Sequence, residues 1–170
     1  MDNVLSRFAK IKTVFLDIDG VLTDGTVWAF RTGEQVRRFN IKDGWAINRA
    51  VKTNLPIVII SAGHEEGVRV RLEYLGLEHI HIGVANKLEL FQEYIDKWNL
   101  AKDEILYMGD DMPDYEAFQL AGLKCCPADS SADILEICDY ISPKNGGQGA
   151  VRDVLEKILK LQGKWPKLRK

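Results

Sequence analysis

Ile57-Val58-Ile59-Ile60 sets four β-branched apolar residues in a row. Such side chains favour strands. A strand that is apolar at every position needs cover on both faces, which is the condition of a parallel sheet between helices. Val14-Phe15-Leu16 and Glu104-Ile105-Leu106-Tyr107-Met108 have the same character. Shorter runs at His79-Ile80-His81-Ile82, Leu123-Lys124-Cys125-Cys126 and Tyr140-Ile141 add further strands. Helical spacing fills the intervals, most clearly in Leu88, Phe91, Tyr94, Ile95 and Trp98. Strands alternating with helices predict βαβ units, and so an α/β, Rossmann-like three-layer sandwich around a central parallel sheet. The length of 170 residues fits one domain over 1–170.

In such a sheet the C-terminal strand ends lie along one edge, where α/β ligand sites form. The first of these ends is acidic: Asp17-Ile18-Asp19-Gly20-Val21-Leu22-Thr23-Asp24-Gly25 follows Val14-Phe15-Leu16. In extended chain Asp17 and Asp19 share a face. Like charges held together need compensation, normally a cation. The stretch therefore reads either as an ordinary acidic turn, since Asp and Gly are turn residues, or as half of a divalent-metal site with oxygen ligands. A calcium loop starting at Asp17 fails on spacing. It wants an oxygen ligand, a glycine and a glutamate where Val21, Leu22 and Trp28 stand.

Val27-Trp28-Ala29-Phe30 and Gln35-Val36-Arg37-Arg38-Phe39, joined through Thr32-Gly33, predict a β-hairpin over about 26–39. A two-stranded ribbon is only marginally stable alone. Its Trp28, Phe30 and Phe39 are expected to pack against another subunit, with folding back onto their own domain as the other possibility. Asp43 is a candidate N-cap for a helix to about Asn54. Asn86 caps a second helix, from Lys87 to about Trp98, and Pro113 suits the first turn of a third. Gly146-Gly147-Gln148-Gly149 precedes the last helix, Ala150 to Leu161. A basic tail, 163–170, carries Lys164, Lys167, Arg169 and Lys170.

The remaining signals are mostly exclusions. Net charge is −2, so no basic field points to nucleic acid. No apolar run spans a bilayer, and Met1 to Lys12 has no signal-peptide core. Three cysteines, Cys125, Cys126 and Cys138, in no zinc spacing read as reduced thiols of a cytoplasmic protein. His79 and His81 share a strand face, but with His64 they make no convincing metal set.

Asp17, Asp19, Ser61, Lys87 and Asp110 all fall at strand ends or the start of the following helix, so they can converge. Acids for Mg2+, a hydroxyl and a lysine form the inventory of phosphoryl transfer, which needs mostly positioning and charge stabilisation. An aspartate can be the nucleophile, and a second carboxylate can protonate the leaving alcohol and then deprotonate water.

These residues, together with Gly109-Asp110-Asp111-x-x-Asp114, resemble the motifs of the haloacid dehalogenase superfamily of phosphatases. The resemblance covers nearly the whole chain and implies the HAD-like fold. It is closest to the capless subgroup acting on 3-deoxy-D-manno-octulosonate 8-phosphate in lipopolysaccharide biosynthesis. The hairpin, Asn40-Ile41-Lys42-Asp43-Gly44 and Gly146-Gly147-x-Gly149-Ala150-Val151-Arg152 carry that closer likeness. It implies Asp17 as nucleophile and Asp19 as acid/base, with Mg2+ held by Asp17, Asp19 (through its carbonyl) and Asp110. Ser61 and Lys87 would hold the phosphoryl group. Asn40, Ile41, Lys42, Asp43, Gly44 and Arg71, with Asp19 and Lys87, would meet the sugar phosphate. It also implies a homotetramer with the hairpins at its centre, and active sites completed by a neighbouring subunit and reached by its basic tail. One departure stands out. Ser61-Ala62-Gly63-His64 replaces the subgroup's Thr-Gly-Arg or Thr-Gly-Lys, which keeps the hydroxyl and loses the cation, unless His64 supplies it. The alternative substrate is a nine-carbon sialic-type acid 9-phosphate. A catalytically silent assembly module is the alternative in kind, and intact Asp17 and Asp19 argue against it.

Overall fold

The computed structural model describes residues 3–167. Its central sheet has six parallel strands. These are β1 (Thr13–Leu16), β4 (Ile57–Ile60), β5 (His79–His81), β6 (Ile105–Met108), β7 (Leu123–Cys126) and β8 (Tyr140–Ile141), ordered β5-β4-β1-β6-β7-β8. The chain runs outward from β1 through β4 to β5, then returns to β6 on the other side of β1. The order therefore reverses between β1 and β6, the position where open α/β sheets bind ligands.

Alternation along the strands divides the core in two. Val14, Leu16, Ile57, Ile59, Leu106 and Met108 face one layer, with α1 (Val4–Lys10), α2 (Ile41–Lys52), α3 (Glu66–Tyr74) and α7 (Ala150–Leu161). Phe15, Val58, Ile60, Ile105 and Tyr107 face the other, with α4 (Lys87–Trp98), α5 (Tyr115–Leu120) and α6 (Ala132–Ile137). Each side chain of this size contributes roughly 1.5–3 kcal/mol when taken out of water, so the apolar strands hold both layers to the sheet.

Some boundaries differ from expectation. α2 begins at Ile41, capped by Asn40, whose side chain accepts from Lys42 N at 2.8 Å; Asp43 lies inside the first turn. Both residues can cap, but Asp43 is used elsewhere, as described below. A short N-terminal helix, α1, precedes the sheet, with Asn3 as its cap. Pro113 sits in a 3-10 turn, Met112–Asp114, and α5 starts only after it. Asn86 caps α4 as expected, accepting from Glu89 N at 3.2 Å. The three thiols are free.

The hairpin is present but smaller than the sequence suggests: β2 is Trp28–Ala29 and β3 is Gln35–Val36, paired antiparallel. Trp28 is 71% exposed, and Phe30 and Val36 are also exposed. Phe39 alone of the hairpin's rings is partly buried against the core. Of the basic tail, Leu168, Arg169 and Lys170 lie outside the described residues. The part before them is anchored: Arg49 donates to Lys164 O, and Trp165 packs edge-on against Trp45 with Arg152 over both rings. Among the described residues no helix is long and apolar enough to cross a membrane.

Candidate active site

β1 and β6 deliver the two acids that define the site. Asp17 follows β1 and Asp110 follows β6 with one glycine between. Asp17 N donates to Met108 O at 3.0 Å, so sheet pairing continues to Asp17. The chain must then turn away at once. Gly20 does this with φ +75°, in the left-handed region that favours glycine. A Cβ at Gly20 would lie 1.9 Å from Asp110 Oδ2. The glycine-rich loop closes over this turn. Gly147 N donates to Val21 O at 3.1 Å, and a Cβ at Gly146 would lie 1.8 Å from Gly20 O.

Asp17, Asp19, Ser61, Lys87 and Asp110 line one cavity of about 310 Å³, joined by Asp114. Lys87, at the first position of α4, puts its Nζ 3.0 Å from Asp17 Oδ1 and 2.8 Å from Asp114 Oδ1. Asp114 is fully engaged. It accepts from Lys87, from the Tyr107 hydroxyl at 2.7 Å and from Asp110 N at 3.1 Å. Asp17 Oδ1, by contrast, is buried with the Lys87 ammonium beside it, in a contact too poorly aligned to satisfy it. Ser61 is 2% exposed, and among the described residues its hydroxyl receives only the Gly63 N–H, at 3.3 Å.

The electrostatics match this crowding. Burial first, then Asp114, pushes the Asp17 carboxyl well above the usual carboxylate range, and Lys87 only partly offsets the rise. Burial, then Asp17 and Asp114, pushes Asp110 up to about 7. Burial would lower Lys87, but Asp17 and Asp114 outweigh it and raise its pKa. The site thus holds more negative charge than one ammonium can balance. Oxygens of Asp17, Asp110 and Asp114 lie within 4.8 Å of one another. With Asp114 spent on Lys87 and Tyr107, Asp17 and Asp110 keep free lone pairs. That donor set fits a divalent cation that prefers oxygen.

The other expected residues lie elsewhere in the chain. Asp43 is 1% exposed, and its carboxylate accepts from Gly149 N at 3.2 Å and Arg152 N at 2.7 Å. It ties α2 to the start of α7 and turns no oxygen to solvent. Gly44 is likewise buried, against Arg71 and Leu75. Asn40 donates to Gly147 O at 3.2 Å. Ile41 and Lys42 are exposed, and Arg71 lines a separate cavity of about 510 Å³ between the hairpin and α3. None of these six borders the cavity around Asp17. His64 is exposed and its ring lies over Gly83.

Two participants carry no assignment from the sequence. Asp114 belongs to the acidic run after β6, but its part in holding Lys87 depends on Tyr107 rising beneath it. Arg37 reaches Asp19 from the hairpin, with Nε 2.6 Å from Oδ1 and Nη2 3.1 Å from Oδ2. No local pattern marks it.

Residues 76–155 match the family model for haloacid dehalogenase-like hydrolases. The 3-deoxy-D-manno-octulosonate 8-phosphate phosphatase of Salmonella typhi is 34% identical over 162 residues, 95% of this chain and 86% of the relative. The crystal structure of the Yersinia pestis phosphatase of the same name superposes with a TM-score of 0.92 at 31% identity, covering 96% of this chain and 88% of that one. The Moraxella catarrhalis phosphatase, solved in complex with magnesium ion, phosphate ion and a KDO molecule, gives a TM-score of 0.90 at 31% identity, with 96% and 94% covered.

Proposed function

The chain belongs to the haloacid dehalogenase-like hydrolases, and from that premise we infer a magnesium-dependent phosphatase that hydrolyses 3-deoxy-D-manno-octulosonate 8-phosphate to the sugar acid and phosphate. The observation that carries this reading is the buried Asp17, next to Lys87 and Asp110 at the sheet's switch point. It is supported by the relative that holds magnesium, phosphate and the sugar acid together.

The residues have separate parts in this reading. Asp17 is the nucleophile and forms the aspartyl-phosphate. Asp19, whose side chain is 39% exposed toward the cavity, gives its proton to the leaving sugar oxygen and then takes one from water. Lys87 and Ser61 hold phosphoryl oxygens. Asp114 keeps Lys87 aimed and charged. Asp17, Asp110 and the Asp19 carbonyl would hold the magnesium, which supplies charge neutralisation for the phosphoryl group.

The cavity around Asp17 is lined by none of Asn40, Ile41, Lys42, Asp43, Gly44 and Arg71 of the same chain. We propose that a second copy covers it. The hairpin's exposed Trp28, Phe30 and Val36 suit burial between copies in a homotetramer. Ile41, Lys42 and Arg71, which lie away from their own chain's nucleophile, then suit a neighbour's site or its rim. The tail beyond Trp165 starts from a fixed anchor and is basic, which suits an acidic sugar phosphate.

A panel of sugar phosphates with phosphate release measured tests the substrate. The eight-carbon keto-deoxy acid phosphate is expected to turn over fastest. A faster nine-carbon acid 9-phosphate would move the assignment to that acid, and a faster neutral hexose phosphate would sink both.

A further inference from the structure

The hairpin sends a buried cation to the loop that follows Ser61. The Arg37 side chain is 6% exposed. Its guanidinium forks onto both Asp19 oxygens, at 2.6 and 3.1 Å, and its Nη1 lies 2.9 Å from Glu65 Oε2. It also lies beside Gly63: a Cβ there would come 3.6 Å from both Arg37 Nη2 and Asp19 Oδ2. Burying a guanidinium is costly unless it is well paired, and a two-residue ribbon strand gains little stability by doing so. A bidentate fork fixes the plane and direction of a carboxylate, which a lysine cannot do. Asp19 makes no other side-chain hydrogen bond among the described residues, so this fork sets where its carboxylate points.

We propose that Arg37 is the positioning residue for the acid/base: it holds the Asp19 carboxyl where the leaving oxygen departs, and it ties that alignment to the placement of the hairpin. The inference rests on the phosphatase reading above. In the first step an Asp17 oxygen bonds to phosphorus as the phosphorus–oxygen bond to the alcohol breaks. The electron pair leaves on the alcohol oxygen, which takes the Asp19 proton. In the second step Asp19 takes a proton from water, the water oxygen bonds to phosphorus, and Asp17 leaves as a carboxylate. Arg37 touches none of the reacting atoms. Its loss is felt wherever Asp19 must be aligned.

Leaving-group dependence tests this. The value of kcat/KM reports the steps up to alcohol release. An alkyl alcohol needs a proton to leave; p-nitrophenolate does not. For Arg37→Gln, kcat/KM on the sugar phosphate is expected to fall about 10²-fold, the cost of misaligning a catalytic group. On p-nitrophenyl phosphate it should stay within about threefold, because no general acid is needed. There kcat and KM should fall together, since water attack still needs Asp19. Arg37→Lys should recover part of the sugar-phosphate loss, and added guanidinium ion should recover part of it in Arg37→Ala. Equal kcat/KM losses on both substrates, in variants that melt like the wild type, would assign Arg37 a purely structural part and overturn the proposal. Unchanged or faster turnover would overturn it as well. If Arg37→Gln does not fold, Glu65→Gln, which loosens the second anchor, should give the same leaving-group bias at smaller amplitude. No bias there would again reject it. A wild type inactive on the sugar phosphate would reject the substrate assignment alone, and the comparison would then run on whichever alkyl phosphate it hydrolyses.

Discussion

Gly20 presses against Asp110: there is no room for a single methyl group between them, since a Cβ would stand 1.9 Å from Oδ2. With φ at +75° the position is also strained for any other residue. Gly20→Ala is therefore expected to push Asp110 out of line, weaken magnesium binding at least about tenfold and destabilise the fold by about 1–3 kcal/mol. Magnesium titration followed by thermal melting checks both. A variant that binds magnesium like the wild type would show that the turn has slack.

Asp17→Asn should abolish phosphate release and leave the fold intact. Without magnesium this variant should melt at or above the wild-type temperature, because a neutral amide removes charge from a buried, acid-crowded site. Calorimetry with chelator present decides; a clear loss of stability would mean that the charge on Asp17 supports the fold.

The same crowding gives a pH signature. Asp110, raised to about 7, favours its protonated form in the folded chain. Its contribution to stability is thus fully present below its unfolded pKa and is lost as pH rises through about 7. Chelated wild type should lose stability relative to Asp110→Asn between pH 5 and 8. Magnesium, which needs ionised carboxylates, should raise the melting temperature more at pH 8 than at pH 5.5. Equal magnesium shifts at both values would contradict this.

Asp114→Ala removes the acceptor of Lys87, Tyr107 and the Asp110 amide at once. Breaking a buried ion pair by deleting one partner costs about 3–5 kcal/mol, so this variant should be the least stable of the acidic substitutions. Asp114→Asn, which keeps acceptor and shape, should be less destabilised and still lose activity as Lys87 drifts. Urea melts of the pair with matched phosphatase assays would show it.

Trp28→Glu should break assembly without unfolding the chain, because the ring is 71% exposed. Light scattering should give a smaller species with a wild-type melting onset for the monomer. An unchanged mass would remove the hairpin from the interface.

The sequence made the sheet edge legible because strand ends and helix starts are local events. Val14-Phe15-Leu16 announces Asp17, Asn86 announces Lys87, and Ile105 to Met108 announces Asp110. The choice between Asn40 and Asp43 as cap was not legible: either side chain can cap, and only the distant Gly149 and Arg152 amides claim Asp43. Arg37 was hidden for the same reason. Its partner lies across the hairpin, and neither residue's neighbours betray the contact. Asp114 was visible as an acid, but its task is to hold Lys87 with Tyr107, and that depends on packing between β6 and α4.

The glycine-rich loop on the Gly20 turn also sets an order of events during synthesis. β1 and Asp17 emerge early from the ribosome, but the left-handed turn after them is seated against Gly146 and Gly147, residues made more than a hundred positions later. Until then the turn lacks its lid of backbone, even though β6, the neighbour of β1, is already made. The turn after β1 is therefore seated only once residues 146–147 have docked, so the acidic sheet edge is completed late in synthesis.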